Sequence, residues 1–385
     1  MKNKRPVYFD NAATTYPKPD SVYRAVDSYT RRYCGNPSRG SHSLALAAAE
    51  AVYESREALA GLFSASPESV AFTMNTTYAL NMAIKAVVGE GDHVLISDME
   101  HNSVLRPVHE VCRRVGASYD IFRTSGNADE IIDDIDRKRG RNTRLLVMTH
   151  QSNIVARTMP VEKISEYCRN SGIFIIVDCA QSAGVIPLNL SECKVDAVCV
   201  PAHKGLYGIQ GCGAVIFGED SGEELRTTIE GGSGSESIPL NMPDHLPDRF
   251  EAGTLPSPAI VSLAHGINFI NERGIDSIRK HEYMICEYIM NRLSAFDCIT
   301  IYNDNPGSVL LFNIDGISPA DAASAFDKYG ICLRAGLHCS PLAHRTLGTF
   351  PAGAVRASFG AFNTMREADY FCDIAKRLLH NKEIT

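Results

Sequence analysis

At 385 residues the chain is longer than one hydrophobic core usually serves, which predicts a large domain, a smaller one, and room for a deep cleft. Its 38 basic and 45 acidic residues give a formal charge of −7, a balance that attracts neither nucleic acid nor an anionic lipid surface. With 44% hydrophobic and 22% charged residues the composition is that of a soluble globular protein, and a small-molecule substrate is expected.

The basic start MKNKRP is not followed by an apolar segment, so no secretory signal is expected, and no stretch approaches the roughly 20 apolar residues of a membrane span. The 12 cysteines include no C-x-x-C pair and no regular spacing. That argues against a disulfide framework or a metal site and for a reducing cytoplasm, with most thiols acting as small core hydrophobes.

In chain order, helical periodicity covers 44–63 and 76–88, and an apolar strand follows at 93–101. A helix is expected at 104–116, with a proline near its first turn. The next expected elements are a strand at 143–153, a helix at 161–172 and strands at 173–182, 196–204 and 212–218. Most of these strands are near-continuous apolar runs, the pattern of strands covered on both faces, so residues 1–256 read as an α/β domain on a mainly parallel sheet. From 257 onward two long helical patterns precede short strands around 299–303, 308–314, 331–335 and 355–359, then a final helix at 364–380. Residues 257–385 therefore read as a smaller α+β domain, on which the N-terminal segment can pack.

Unusual polar residues gather at the carboxyl ends of the predicted strands: Glu100 and His101, Gln151 to Asn153, Asp178 to Gln181, His203 and Lys204. In an open α/β sheet that edge is where ligands bind. An acid ending an apolar strand is ordinarily a cap, and a lysine in that place is ordinarily solvated. Together, Asp178 and Lys204 on neighbouring strand ends suit pyridoxal 5'-phosphate. A desolvated lysine takes an aldehyde as a Schiff base, while the carboxylate pairs with the protonated ring nitrogen. Thr76 and Thr77 open a helix, where hydroxyls, amide groups and the helix dipole converge on an anion, although a plain N-cap is the commoner use.

The segments DNAATT (10–15), NPSRGSH (36–42), NTT (75–77), EHNS (100–103), VDCAQS (177–182), AHKGLYG (202–208), RAGLHCSPLAH (334–344) and VRASFGAFNT (355–364) follow one another along the chain. The ordered set resembles the class V aminotransferase family, specifically its cysteine desulfurases of the Suf type and the related selenocysteine lyases. The resemblance implies a fold-type I, pyridoxal-phosphate-dependent homodimer that passes sulfur from L-cysteine, as a persulfide on Cys339, to an acceptor protein or thiol. It further implies that Lys204 carries the cofactor and shuttles the Cα proton. Asp178 would pair with the ring nitrogen, Gln181 would bond the ring hydroxyl oxygen, and His101 would stack on the ring with a possible part in proton transfer. Thr76, Thr77 and His203 would hold the phosphate, joined by Thr254 from a second subunit. Asn153 would serve cofactor and substrate, and Arg356, Arg334 and Ala13 would line the substrate site.

Three positions depart from the usual pattern. Leu337 replaces the first histidine of R-x-G-H-H-C, Pro201 stands where a phosphate-binding serine is common, and Gly205 lengthens the turn after the lysine. The same residues also suit L-selenocysteine as substrate, another class V transaminase or C–S lyase, or, with the chemistry lost, an assembly scaffold. A scaffold would need neither Lys204 nor Asp178. Around Cys339, Gly336, Ser340 and Pro341 predict an exposed turn, and His338 and Arg334 are candidates for favouring a thiolate there.

Overall fold

The computed structural model describes residues 5–37, 40–219, 221–222 and 225–380, so Ser38 and Arg39 of the 36–42 segment lie outside the described residues. The chain divides into two compact units.

The larger unit, Lys18–His150 with Met159–Arg273, is built on a seven-stranded sheet. Its strands lie in the order Val70–Thr73, Gly213–Phe217, Ala197–Pro201, Phe174–Asp178, Thr143–Thr149, His93–Ser97 and Ser118–Phe122. The last five run parallel, while 213–217 is antiparallel to both of its neighbours. Four of the central strands, 93–97, 174–178, 197–201 and 213–217, are buried over all or nearly all of their length, which is why they read as unbroken apolar runs. Helices Ser43–Phe63, Thr76–Val87, Asn102–Val115 and Val161–Asn170 stand near their expected positions, and Pro107 lies inside the third rather than in its first turn. Helix Ser257–Arg273 packs on Asp20–Arg32 and on 43–63, so the larger unit runs past the boundary at 256 expected from the sequence.

The smaller unit comprises the described residues through Pro17, Gln151–Thr158 and those from Gly274 on. A four-stranded antiparallel sheet, in the order Arg334–Gly336, Ala354–Ser358, Val309–Ile314, Ile299–Ile301, packs with helices Ile275–Leu293, Pro319–Asp327 and Met365–His380. Their core contains Phe312, Phe326 and Phe371, of which the last two stack with ring centroids 4.9 Å apart. Val7–Tyr8 pairs in parallel with Ile331–Cys332, and Asn11 donates to the carbonyls of Tyr8 and Ser358 and to Asn363 Oδ1, each at 3.1 Å. These bonds fix the 8–16 turn against the sheet.

Candidate active site

In the larger unit Asp178, Gln181, His203, Lys204 and His101 stand at or just after the carboxyl ends of parallel strands, Thr76 and Thr77 open the helix after strand 70–73, and Thr254 lies in a loop, while Asn153 belongs to the smaller unit. Asn75 caps helix 76–87, its Oδ1 accepting the Tyr78 amide at 3.1 Å. The cap sits hard against the sheet: a Cβ on Gly213 would lie 2.6 Å from the Asn75 carbonyl carbon and 2.7 Å from the Val200 oxygen. Only glycine permits that approach. At the head of the helix the Thr76 hydroxyl is buried with no hydrogen-bond partner among the described residues, while Thr77 is exposed. Pro201 ends strand 197–201 and gives this corner no hydroxyl and no amide proton.

Asp178 ends strand 174–178 almost wholly buried, its Oδ1 accepting the Ala180 amide at 2.8 Å. Burial raises its pKa above the usual carboxylate range, against the pull of the Ala180 amide and of the Lys204 charge. Such a carboxylate gains most from a cationic partner. Lys204 begins a tight turn in which Tyr207 N–H donates to the Lys204 carbonyl and Gly208 N–H to that of Ala202, both at 2.8 Å. The added Gly205 has a steric reason, since a Cβ there would lie 2.4 Å from the Ala183 oxygen. His203 is neutral at physiological pH: burial pushes its imidazole down to about 4, helped by Lys204 and Lys18. Gln181 is half-buried in the turn after Asp178. His101 caps helix 102–115, its Nδ1 accepting the Ser103 amide at 3.1 Å, so a neutral ring carries its proton on Nε2. Thr254 is exposed. The residues leading up to it are anchored by Glu251, which takes both Nη atoms of buried Arg56 at 2.8 and 2.9 Å.

These residues fit pyridoxal phosphate. A buried hydroxyl without a partner stands at a helix amino end, where phosphate binds. A buried carboxylate is raised by desolvation, where a ring cation would offset the cost. A lysine stands on the adjoining strand end.

The expected substrate residues and the thiol stand in the smaller unit. Arg356 is 3% exposed; Nη1 donates to the Asn153 carbonyl at 3.1 Å and Nη2 to Asp10 Oδ1 at 3.0 Å, while Nε is buried with no partner among the described residues. The other Asp10 oxygen faces half-exposed Arg334 at 3.7 Å. Ala13 lies in the same turn, its amide donating to the Asp10 carbonyl at 3.1 Å. Asn153 also grips the thiol turn, donating from Nδ2 to the His338 carbonyl at 3.1 Å and accepting Ser340 Oγ–H at 2.8 Å.

Cys339 is exposed, and with His338 it adopts left-handed backbone, φ 57° and 48°, rare for residues with side chains. Two such residues in succession raise the thiol on a turn that its surroundings hold in place. His338 is turned inward. Its Nε2 lies 3.4 Å from the Arg334 carbonyl and its Nδ1 3.3 Å from His344 Nε2, while His344 Nδ1 is 2.6 Å from Thr349 Oγ1. A carbonyl only accepts, so the proton of His338 is on Nε2. His344 then donates to His338, and Thr349 donates to His344. Burial, with Arg356 adding, pushes His338 down to about 3 and His344 to about 4. The expectation that His338 supplies a positive charge beside the thiol is therefore corrected: it is neutral and spent on holding the turn.

Two contacts of these residues escaped the sequence reading. Lys18 donates from Nζ to the His203 carbonyl at 2.7 Å, and burial pushes it down to about 7, yet YPKPD reads as an ordinary loop. Nothing in DNAATT says which base Asp10 will meet. Glu100, which the sequence groups with His101 at a strand end, is fully buried.

The sequence profile of the family described as aminotransferase class-V matches residues 7–371. A probable cysteine desulfurase of Halalkalibacterium halodurans is 33% identical, the alignment covering 98% of this chain and 93% of the relative. A cysteine desulfurase of Haloferax volcanii is 31% identical over 95% of this chain and 88% of its own length. Among solved structures, the apo cysteine desulfurase of Thermococcus onnurineus superposes with a TM-score of 0.91 at 28% identity, covering 98% of this chain and 95% of that one. By profile, relatives and fold together, this chain belongs to the class-V aminotransferase family, in its cysteine desulfurase group.

Proposed function

We propose that the chain is a pyridoxal-phosphate-dependent cysteine desulfurase that takes sulfur from L-cysteine onto Cys339 as a persulfide, releases L-alanine and hands the sulfur to an acceptor thiol. The observation that carries this reading is the pairing in one unit of an exposed thiol on a strained turn with a buried guanidinium whose Nε–H is uncommitted among the described residues, both gripped by Asn153.

When bound, pyridoxal phosphate supplies an aldehyde for the substrate amine and an electron sink that weakens the bonds at Cα. Thr76, Thr77 and His203 would hold its phosphate, Asp178 would keep the ring nitrogen protonated, Gln181 would bond the ring oxygen and His101 would lie against the ring. Lys204 Nζ takes the proton from the substrate Cα and returns it. Arg356 receives the substrate carboxylate through its uncommitted N–H groups, Nε–H among them, with Asn153, Arg334 and Ala13 bounding that pocket. The Cys339 sulfur attacks the substrate sulfur: an S–S bond forms as the Cβ–S bond breaks, the electron pair stays with the substrate carbon, and that carbon takes a proton to leave as alanine. The imidazole of His338 takes no part as a cation in this step.

A homodimer belongs to the proposal. Ile238 is 95% exposed and Leu240 fully so, in the segment that leads to exposed Thr254. Apolar side chains so placed support burial against a second copy, to whose phosphate Thr254 is delivered. All 12 cysteines are free, which supports work in a reducing compartment such as the cytoplasm.

The test compares alanine release from L-cysteine and L-selenocysteine in the parent and in Cys339→Ala. The variant is expected to lose cysteine turnover by at least a hundredfold while keeping the visible absorbance of bound cofactor. Cysteine turnover that survives would refute the persulfide route. A parent that turns over L-selenocysteine but not L-cysteine would be the mark of a selenocysteine lyase; selenocysteine turnover in the variant alone would not, since selenium leaves without help from a thiol.

A further inference from the structure

Glu100 is a buried acid that the proposed chemistry leaves unused. It lies between strand 93–97 and His101, and none of it reaches solvent. Oε1 accepts two hydrogen bonds, one from Ser97 Oγ on its own strand and one from the Thr149 amide, at 2.8 Å, where the neighbouring strand ends. Thr149 is in turn the register partner of Asp178. Oε2 is buried with no hydrogen-bond partner among the described residues.

An ionised Glu100 would leave a bare charged oxygen in the interior, where charge without a partner is strongly disfavoured. The neutral acid matches its surroundings better: Oε1, as the carbonyl, accepts both bonds, and Oε2 carries the proton. The surrounding titratable groups push the same way. Asp98 comes from its own turn and Asp178 from the end of strand 174–178. The end of strand 143–149 brings only the Thr149 amide and, one residue on, His150, which burial keeps neutral with a pKa of about 4. Burial first, then the two acids, against the pull of Ser97 and Thr149, pushes Glu100 up to about 8.

We propose that Glu100 works as a neutral carboxylic acid, a positioning residue that ties the ends of strands 93–97 and 143–149 together, sets His101 and Asp178, and adds no second charge beside Asp178. The inference rests on the reading of Asp178 as the partner of the ring nitrogen. Its consequence for stability has a definite sign. An unfolded glutamate titrates near about 4.3, whereas Glu100 in the folded chain holds its proton to about pH 8. The folded state therefore binds the extra proton, and the contribution of Glu100 is complete below the lower value and declines as pH rises through the higher one. Glutamine keeps the Oε1 acceptor, puts a donor in place of the acid hydroxyl and cannot ionise.

The experiment uses cofactor-loaded parent, E100Q, E100A and D178N, recording the melting temperature from about pH 5 to pH 9 and the visible absorbance of the cofactor. The parent should lose melting temperature with rising pH more steeply than E100Q, and E100Q should keep the parent absorbance and activity within about twofold. E100A, which strands the Ser97 and Thr149 donors, should shift the absorbance and lose roughly tenfold or more in activity. Parallel melting curves for parent and E100Q would overturn the inference, as would an absorbance in E100Q displaced as far as in E100A. If E100A fails to fold, parent against E100Q still decides. D178N separates the two readings. An unchanged absorbance there refutes the assignment of Asp178, whereas a shift in D178N with E100Q pH-dependent like the parent refutes only the role of Glu100.

Discussion

Arg356 shows how far a single side chain is committed before any substrate arrives. Two of its five N–H groups are committed, one on Nη2 to Asp10 and one on Nη1 to the Asn153 carbonyl, and the buried Nε–H is without a partner among the described residues. Lysine would keep the charge and lose the planar fork. R356K is therefore expected to raise the KM for L-cysteine by about tenfold or more while the cofactor absorbance stays put, since the cofactor residues lie elsewhere in the chain. A KM within about twofold of the parent would contradict the assignment. The proposed role of Arg356 as a carboxylate ligand came from the resemblance carried by the segment VRASFGAFNT. Its burial, and the bridge through Asp10 to Arg334, were not legible, because sequence spacing does not say which acid a buried base will meet.

The turn at 338–339 and the short helix Pro341–Thr346 behind it behave as one element. Thr349, His344 and His338 form a chain of hydrogen bonds ending on the Arg334 carbonyl, and it works only with both imidazoles neutral. Both are depressed, to about 3 and about 4, whereas an unfolded histidine titrates near about 6.5. Here the unfolded chain takes up the proton first, so stability is full above the upper value and is lost as pH falls towards the lower ones. The melting temperature of the parent should thus fall between about pH 6.5 and pH 4.5 more steeply than that of H344Q, whose amide can still donate to His338 but cannot titrate. Equal slopes in calorimetry would show that the pair is not held neutral. The exposed turn itself was readable from Gly336, Ser340 and Pro341. The inward rotation of His338 was not, since histidine serves equally as a charged neighbour or as a buried donor. Elsewhere the parallel strands were legible because burial on both faces makes them continuous apolar runs. Strand 118–122 and helix Ala128–Lys138 escaped for the opposite reason. The strand, at the sheet edge, buries only Phe122, and the helix buries just two apolar residues, Ile131 and Ile135, among its charges.

Over the whole molecule, the sequence correctly indicated a large α/β part and a smaller α+β part, but not where the chain passes from one to the other. Helix 257–273 belongs with the larger unit through its packing on helices 20–32 and 43–63, and residues 151–158 belong with the smaller one, although they directly continue strand 143–149. That excursion gives Asn153, proposed to bind substrate, to the unit that carries Arg356 and Cys339, while the proposed cofactor ligands Asp178, His203 and Lys204 stay with the large sheet. In the proposed reaction the thiol is where the product must appear. The most direct measurement is a single turnover of cofactor-loaded protein with L-cysteine, without reductant, followed by alanine quantification and mass analysis of the peptide containing Cys339. One alanine per subunit, with one added sulfur atom on Cys339, is the predicted result. Alanine formed in that amount while Cys339 stays unmodified and the sulfur leaves as free sulfide would contradict the account.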